Sequence, residues 1–267
     1  MGNSTDRPVA LITGASSGIG ETFARKLAAR GYDLILVARR AGRMDALAAE
    51  LSASSSAHSD VIAADLATED GLQSVERAIR DCARLQLVVN NAGFGTLGRF
   101  WEASIQTQQR MHQLHVMVTM RLTHAALAVL VPRDSGAVIN VSSVAAFGQS
   151  EGNVSYCATK AWMNAFTQGL DIELRGIGSK AKVQALCPGF TMTEFHDTLG
   201  VDRKTIPNAM WMQSDVVVEA SLRGLERNEV VVIPGAIYKF GAAMLRRLPH
   251  RVKRRLRRPG WGKDKRV

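Results

Sequence analysis

The sequence predicts an α/β protein: a single-domain, doubly wound parallel sheet with helices on both faces. Three observations predict it. Short apolar runs alternate along the whole chain with segments of helical periodicity, the pattern of strands joined by crossover helices. The polar motifs fall at the carboxyl ends of those runs, where such sheets open their ligand crevice. The length of 267 residues, 46% of them hydrophobic, suffices for one sizeable core. No internal repeat and no second domain is visible.

The elements follow in order. Val9–Ile12 is a short apolar run that reads as a buried strand. The turn Thr13-Gly-Ala-Ser-Ser-Gly-Ile-Gly20 follows it and opens a helix with apolar residues at Ile19, Phe23 and Leu27. Strand, tight glycine-rich turn and helix together make a dinucleotide phosphate site. Glycines let the backbone approach a pyrophosphate, and the helix N-terminus presents free N–H groups to it. The spacing is G-x-x-x-G-x-G (Gly14, Gly18, Gly20), with Ser16, Ser17 and Ile19 completing the turn. Taken alone, such a turn also fits a glycine-rich loop with no ligand.

Asp33–Ala38 is a second strand, Ala41–Leu51 a helix rich in Ala and Leu, and Ser52–Ser56 a loop. Val61–Ala64 is a third strand, Glu69–Ala83 is helical, and Leu85–Val89 is a fourth strand ending at Asn90-Asn-Ala-Gly93. A long helix covers about Ser104–Leu130, Ala137–Val141 is a fifth strand, and a helix spans about Ser155–Arg175. Lys182–Leu186 is a sixth strand. After a loop to about Gln213 come a helix to Arg227 and a last strand, Val230–Ile233.

The second strand bears on coenzyme choice. An acid at its end would bond the ribose diol of NAD. Asp33 has about the right separation from Gly14 but opens the strand; five residues at about 3.3 Å each put it roughly 16 Å from the far end. That end reads Val37-Ala38-Arg39-Arg40. A guanidinium fork suits a 2′-phosphate, so the sequence predicts NADP(H). The alternative for Arg39 and Arg40 is a solvated loop charge. Asp65, with Leu66 after the third strand, is placed either to accept a hydrogen bond from an adenine amino group or to cap the next helix.

The chemistry lies in Ser142-Ser143 and Tyr156-Cys-Ala-Thr-Lys160. Tyr and Lys at i, i+4 share one helix face. A phenol ordinarily titrates near 10, and an adjacent ammonium favours the phenolate, moving it toward the working range. Tyr156 can then protonate a carbonyl oxygen as hydride reaches carbon, or take the proton back in reverse. Ser143, at the end of the fifth strand, can hold the same oxygen. By itself a Tyr–Lys pair at this spacing is commonly a surface pair; its place on the helix after the fifth strand makes it a site.

These motifs resemble those of the short-chain dehydrogenase/reductase superfamily, in its common form of about 250 residues, over about residues 7–235. The resemblance implies a Rossmann fold. Thr13 to Gly20 resembles the cofactor turn, and Asn90-Asn-Ala-Gly93 a sheet-stabilising and adenine-side motif to which Asn90, Ala92 and Gly93 contribute. Pro188-Gly-Phe-Thr-Met-Thr193 resembles the nicotinamide loop, in which Pro188, Gly189, Phe190, Thr191 and Thr193 would hold the carboxamide. Ser143, Tyr156 and Lys160 fall on the catalytic positions, with Tyr156 and Lys160 also bonding the nicotinamide ribose side. It further implies pairing of the long fourth and fifth helices between subunits, as a homodimer or homotetramer.

One departure stands out. The family usually has an Asn in the long fourth helix that anchors a relay water, and His115 stands there, within Met111-His-Gln-Leu-His-Val116. An imidazole both donates and accepts, so His115 can hold that water; it is also larger and titrates near 6.5 when unperturbed. The alternative is a packed helix residue. His112 and His115 at i, i+3 lack a third ligand at metal spacing, so no metal is expected.

The reading is an NADPH-dependent ketone or aldehyde reductase, reversibly an alcohol dehydrogenase, within residues 1–238. Its substrate loop, about Glu194 to Gln213, carries Phe195, Leu199, Ile206, Met210, Trp211 and Met212, and Phe94 and Phe147 are expected in the same cleft. These residues suit a hydrophobic, even lipid-like, carbonyl; a loop packing its own apolar side chains fits them equally. The rival from another class is a non-catalytic NADPH-binding regulator or scaffold, for which His115 is the only support. Three cysteines, Cys82, Cys157 and Cys187, odd in number and far apart, suggest reduced thiols in a cytoplasmic protein. No secretory signal and no spanning segment are expected.

Residues 239–267 form a basic tail with 12 Lys and Arg and one acid, net +11, whereas the whole chain is +10, so residues 1–238 carry −1. The folded body therefore has no basic nucleic-acid face, and no specific nucleic-acid partner is expected. Phe240, Met244, Leu248, Val252 and Leu256 recur every four residues with Arg246, Arg247, Arg251, Arg254, Arg255 and Arg258 interleaved, and Pro249 interrupts them. Three readings stay open: peripheral contact with an anionic membrane, a closing segment on the sheet with solvated arginines, and contact with nucleic acid.

Overall fold

The computed structural model describes residues 6–195, 199 and 206–247. Seven strands, β1 (Val9–Thr13), β2 (Asp33–Ala38), β3 (Ser59–Ala63), β4 (Leu85–Asn90), β5 (Ala137–Val141), β6 (Lys182–Leu186) and β7 (Val231–Val232), lie in one sheet. Their order is β3-β2-β1-β4-β5-β6-β7, and every pairing is parallel. The order reverses between β1 and β4, which opens the crevice at their carboxyl ends.

Side-chain alternation along the strands divides the core. Ala10, Ile12, Leu34 and Leu36 face one side, against α1 (Gly18–Ala29), α2 (Ala41–Ser55) and α7 (Ser214–Glu226) through Phe23, Leu27, Met44 and Val217. Leu11, Ile35 and Val37 face the other, against α3 (Glu69–Asp81), α5 (Thr119–Leu130) and α6 (Val154–Gly176) through Leu72, Ile79, Leu122 and Leu174. Burial on both faces is why these strands read as continuous apolar runs.

Several boundaries differ from expectation. The stretch Ser52–Ser55 continues α2 rather than looping; Ser55 Oγ donates back to Leu51 O at 2.7 Å, and the helix ends at Ser56 with φ 53°. β3 begins earlier, at Ser59, because its register on β2 starts at the Leu34–Ser59 pair. The long helix has three parts: α4 (Ile105–His112), a π-helical segment (Gln113–Val118) and α5. His115 sits in that segment, and π-helical turns favour functional sites. Finally, α8 (Ala236–Arg247) runs across the boundary expected after residue 238. Its Ala242 is buried, while Ile237, Phe240 and Met244 are exposed. Leu248, Pro249, Arg251, Val252, Arg254, Arg255, Leu256 and Arg258 of the expected tail pattern lie outside the described residues.

Candidate active site

The glycine-rich turn is built by close approaches. Gly14 and Gly18 have φ of +67° and +59°, and a Cβ on Gly20 would lie 2.3 Å from the Gly14 carbonyl oxygen. Just past β4, Asn91 Nδ2 donates to Thr13 O at 2.9 Å. Thr13 Oγ1 accepts from Asn91 N and Ala92 N and donates to Val89 O. Thr13 and Asn91 thus lock the two sides of the crevice together, a role that sequence reasoning missed although both residues lie within the motifs it quoted. Ser17 occupies the N-cap of α1 without a side-chain cap bond, whereas Thr68 and Ser104 cap α3 and α4. The α1 N-terminus and its glycine cradle therefore fit a pyrophosphate.

At the end of β2, Arg40 donates to Ser16 Oγ (3.1 Å) and Ser17 Oγ (2.9 Å) and pairs with Glu194. Arg43, not singled out in the sequence, pairs with the same Glu194 at 2.6 Å. Arg39 is exposed beside them. The acid of β2 itself is not at this end: Asp33 is buried at the opposite end, paired with Arg84 and Arg7. Asp65 does not cap α3. Thr68 does, while Asp65 accepts from Ala67 N and pairs with Arg110. Two residues expected at the cofactor have inward side chains. Leu66 is in the core, and Asn90 Nδ2 donates to Asn140 Oδ1 (2.8 Å) and Thr123 Oγ1 (3.0 Å), tying β4 to β5. Their main chain alone can face a ligand.

The end of β5 and the first turns of α6 bring Ser143, Tyr156 and Lys160 together. Ser143 Oγ accepts from Ala145 N at 3.1 Å, fixing its rotamer, donates to Pro188 O at 3.5 Å, and neighbours the Tyr156 phenol. Lys160, buried, donates from Nζ to Val141 O at 2.8 Å, and Ser142 Oγ donates to Lys160 O at 3.0 Å. Nζ lies 5.7 Å from the Tyr156 ring centre. The expected lowering of the phenol is reversed in this structure: burial dominates and pushes Tyr156 up to about 12, the neighbouring Ser143 hydroxyl opposing it. Burial likewise brings Lys160 down to about 7. A lysine half-discharged near neutrality and not bonded to the phenol cannot impose the shift that spacing alone suggests.

His115 is almost wholly buried, and burial and the nearby Lys160 hold it well below its usual value, so it is neutral. Its Nδ1 lies 3.0 Å from Thr159 Oγ1, whose proton goes to Tyr156 O at 2.9 Å. Thr159 therefore accepts from His115 Nδ1–H, which assigns Nε2 as the lone-pair nitrogen. Nε2 has no hydrogen-bond partner among the described residues and abuts Gly93, where a Cβ would come within 2.5 Å of it. The His115 ring stands edge-on to Tyr156, centroids 5.7 Å apart. Thr159, three residues beyond Tyr156, was not anticipated. No group of three or more His, Cys, Asp or Glu residues placed to hold a metal occurs among the described residues.

Pro188 to Thr193 closes the crevice. The Tyr238 ring covers Gly189, and its hydroxyl accepts from Phe190 N (3.0 Å) and donates to Met210 O (2.6 Å), so α8 pins both arms of the following loop. Thr191 is buried and bridged to Met212, and Thr193 packs against Gly18. Of the expected cleft residues, Phe195 reaches Tyr156 (ring centroids 6.0 Å apart), and Phe195 and Leu199 both press on Gly95. Trp211 packs on Phe190, and Met212 packs into the core. Phe147 packs instead with Cys187, Ile233 and Ala242, beneath Arg246. The cleft expectation thus holds for part of the loop; the rest packs on the protein.

The chain as a whole is similar to known proteins. The short chain dehydrogenase family model matches residues 8–204. A serine 3-dehydrogenase from Agrobacterium fabrum is 37% identical over 188 residues, covering 69% of this chain and 72% of that protein. A short-chain dehydrogenase from Sphingobium yanoikuyae, solved in complex with NADPH, is 37% identical with a TM-score of 0.82 and covers 96% of this chain and 99% of its own. A bulky-bulky ketone specific alcohol dehydrogenase from Comamonas testosteroni is 34% identical with a TM-score of 0.77 and covers 92% and 96%.

Proposed function

This chain belongs to the short-chain dehydrogenase/reductase superfamily of nicotinamide-dependent oxidoreductases, and from that premise we propose that it reduces a hydrophobic ketone or aldehyde with NADPH. The observation that carries the reading is the convergence of Ser143, Tyr156 and Lys160 at the carboxyl end of β5, across the crevice from the glycine turn. The coenzyme, when bound, supplies hydride from C4 of its nicotinamide. The Gly14–Gly20 turn would hold its pyrophosphate, Arg40 its 2′-phosphate, and the Pro188–Thr193 segment its carboxamide. The Sphingobium relative crystallised with NADPH supports the coenzyme choice.

Tyr156 is the general acid. Its raised pKa keeps the phenol protonated across the neutral range, so the donor is always loaded for reduction. Ser143 steadies the same carbonyl oxygen. Lys160, near 7, is matched to passing a proton toward the phenol. His115 takes the place of the family Asn: Nδ1–H is fixed by Thr159, and Nε2 accepts from the relay water. Phe195 and Leu199 supply an apolar wall for the substrate, and the bulky-ketone relative supports that class. Oxidation of NADPH against a panel of apolar carbonyls tests the reading and separates it from a non-catalytic coenzyme-binding role.

We further read the protein as a cytoplasmic homodimer or homotetramer paired through the long helix of α4, the π-helical segment and α5, and through α6, where Met117, Met120 and Ile172 are exposed. No helix among the described residues is long and apolar enough to cross a membrane. The exposed stripe of Ile237, Phe240 and Met244 on α8, continued by the cationic sequence to residue 267, supports peripheral contact with anionic lipid. Because Tyr238 ties α8 to the substrate loop, such contact would set the cleft beside the lipid.

A further inference from the structure

We infer that Glu194 is a built-in placeholder for the coenzyme's 2′-phosphate, and that Arg43 is the second cation, with Arg40, that receives it. The inference rests on the NADPH reading above. One carboxylate bridges two guanidinium groups, one oxygen each: Oε2 to Arg40 Nη1 at 3.0 Å and Oε1 to Arg43 Nη1 at 2.6 Å. Two arginines converging on one oxyanion is the arrangement that binds a phosphate. The spot also lies where a coenzyme needs it, since Arg40 simultaneously donates to Ser16 and Ser17 of the phosphate turn.

Glu194 is held there by its neighbours. Thr193 packs on Gly18, Thr193 Oγ1 donates to Thr191 O, and Thr191 is buried and bridged to Met212. The carboxylate is therefore delivered by the same segment that closes the nicotinamide side. All three charged groups are about half exposed, and ion pairs at such exposure are weak. A phosphate near −2, with three acceptor oxygens, outcompetes a single carboxylate for the pair. NADH, lacking that phosphate, would leave the bridge intact. Glu194 thus raises the threshold for NADPH while keeping the cationic pair neutralised and aligned without it.

A merely positioning role for Glu194 predicts the opposite sign, so the test discriminates. Dissociation constants for NADPH and NADH are measured by fluorescence titration or calorimetry on the full chain and on Glu194→Gln and Arg43→Gln. The ratio Kd(NADH)/Kd(NADPH) should rise about three- to tenfold in Glu194→Gln, as expected for losing weak pairs that compete with the ligand. It should fall about tenfold or more in Arg43→Gln, as expected for losing a charge-assisted phosphate bond. A ratio that falls in Glu194→Gln, or that neither variant moves, overturns the inference and leaves the NADPH reading standing. Equal affinities for both coenzymes in the unmodified protein overturn the NADPH reading and this inference with it.

Discussion

Lys160→Met isolates the cost of a buried ammonium. Burial brings Lys160 from an ordinary value of 10.5 to about 7. Between those values the unfolded chain holds a proton that the folded protein does not, so stability rises with pH across the window and levels off as pH drops below 7. Each pH unit contributes up to about 1.4 kcal/mol, and integration from pH 7 to 9 yields about 2 kcal/mol. Cys187, raised from 9.0 to about 11, and Tyr156, raised from 10.0 to about 12, act in the opposite sense, chiefly above pH 9. The window from 7 to 9 therefore reports mainly Lys160. Urea unfolding of the coenzyme-free protein at pH 7, 8 and 9 should show the unmodified chain gaining about 2 kcal/mol and Lys160→Met changing by less than about 0.5 kcal/mol. A wild-type stability that is flat in pH, or an equal gain in the variant, would refute the assignment of a burial-lowered lysine at this position.

Three further outcomes follow from the site. His115→Asn should retain most reductase activity, while His115→Leu, folded as judged by circular dichroism, should lose about tenfold or more in kcat, as for removal of a proton-relay partner; an unchanged rate in the Leu variant would leave His115 a packing role only. Because the Tyr156 phenol is raised, alcohol oxidation, which needs the phenolate, should accelerate by up to about tenfold per unit from pH 7 to 9, while carbonyl reduction does not accelerate; oxidation independent of pH would mean that another base takes the proton. The full chain should co-sediment with anionic vesicles at low salt and release at high salt, and a chain lacking residues 246–267 should bind more weakly; equal binding by both, or none by the full chain, removes the membrane role.

What was legible in the sequence was what is local. β2, β5 and β6 match their expected bounds because strands buried on both faces leave uninterrupted apolar runs. Ser143, Tyr156 and Lys160 sit in short motifs whose element context is also visible. The end of α2 was not legible, because serines are nearly indifferent between helix and loop and the back-bond of Ser55 decides. Nor was the Arg43–Glu194 pair, which spans 151 residues, although Arg43 stands in the first turn of α2, three residues past its N-cap Arg40. Phe147 looked like a cleft residue beside Ser143, yet packing beneath α8 claims it. The direction of the Tyr156 shift also escaped. Spacing reports a neighbouring charge, whereas burial, which outweighs it here, is a property of the whole fold.

The central claim is that Tyr156 donates the proton in NADPH-dependent carbonyl reduction. The most direct measurement is NADPH oxidation against bulky apolar ketones and aldehydes by the unmodified protein and by Tyr156→Phe, with NADPH binding titrated in parallel. The account predicts turnover in the former and a fall of about a hundredfold or more in the latter with NADPH affinity retained. Near-normal turnover by Tyr156→Phe, or no turnover of any carbonyl by an unmodified protein that binds NADPH, would contradict it.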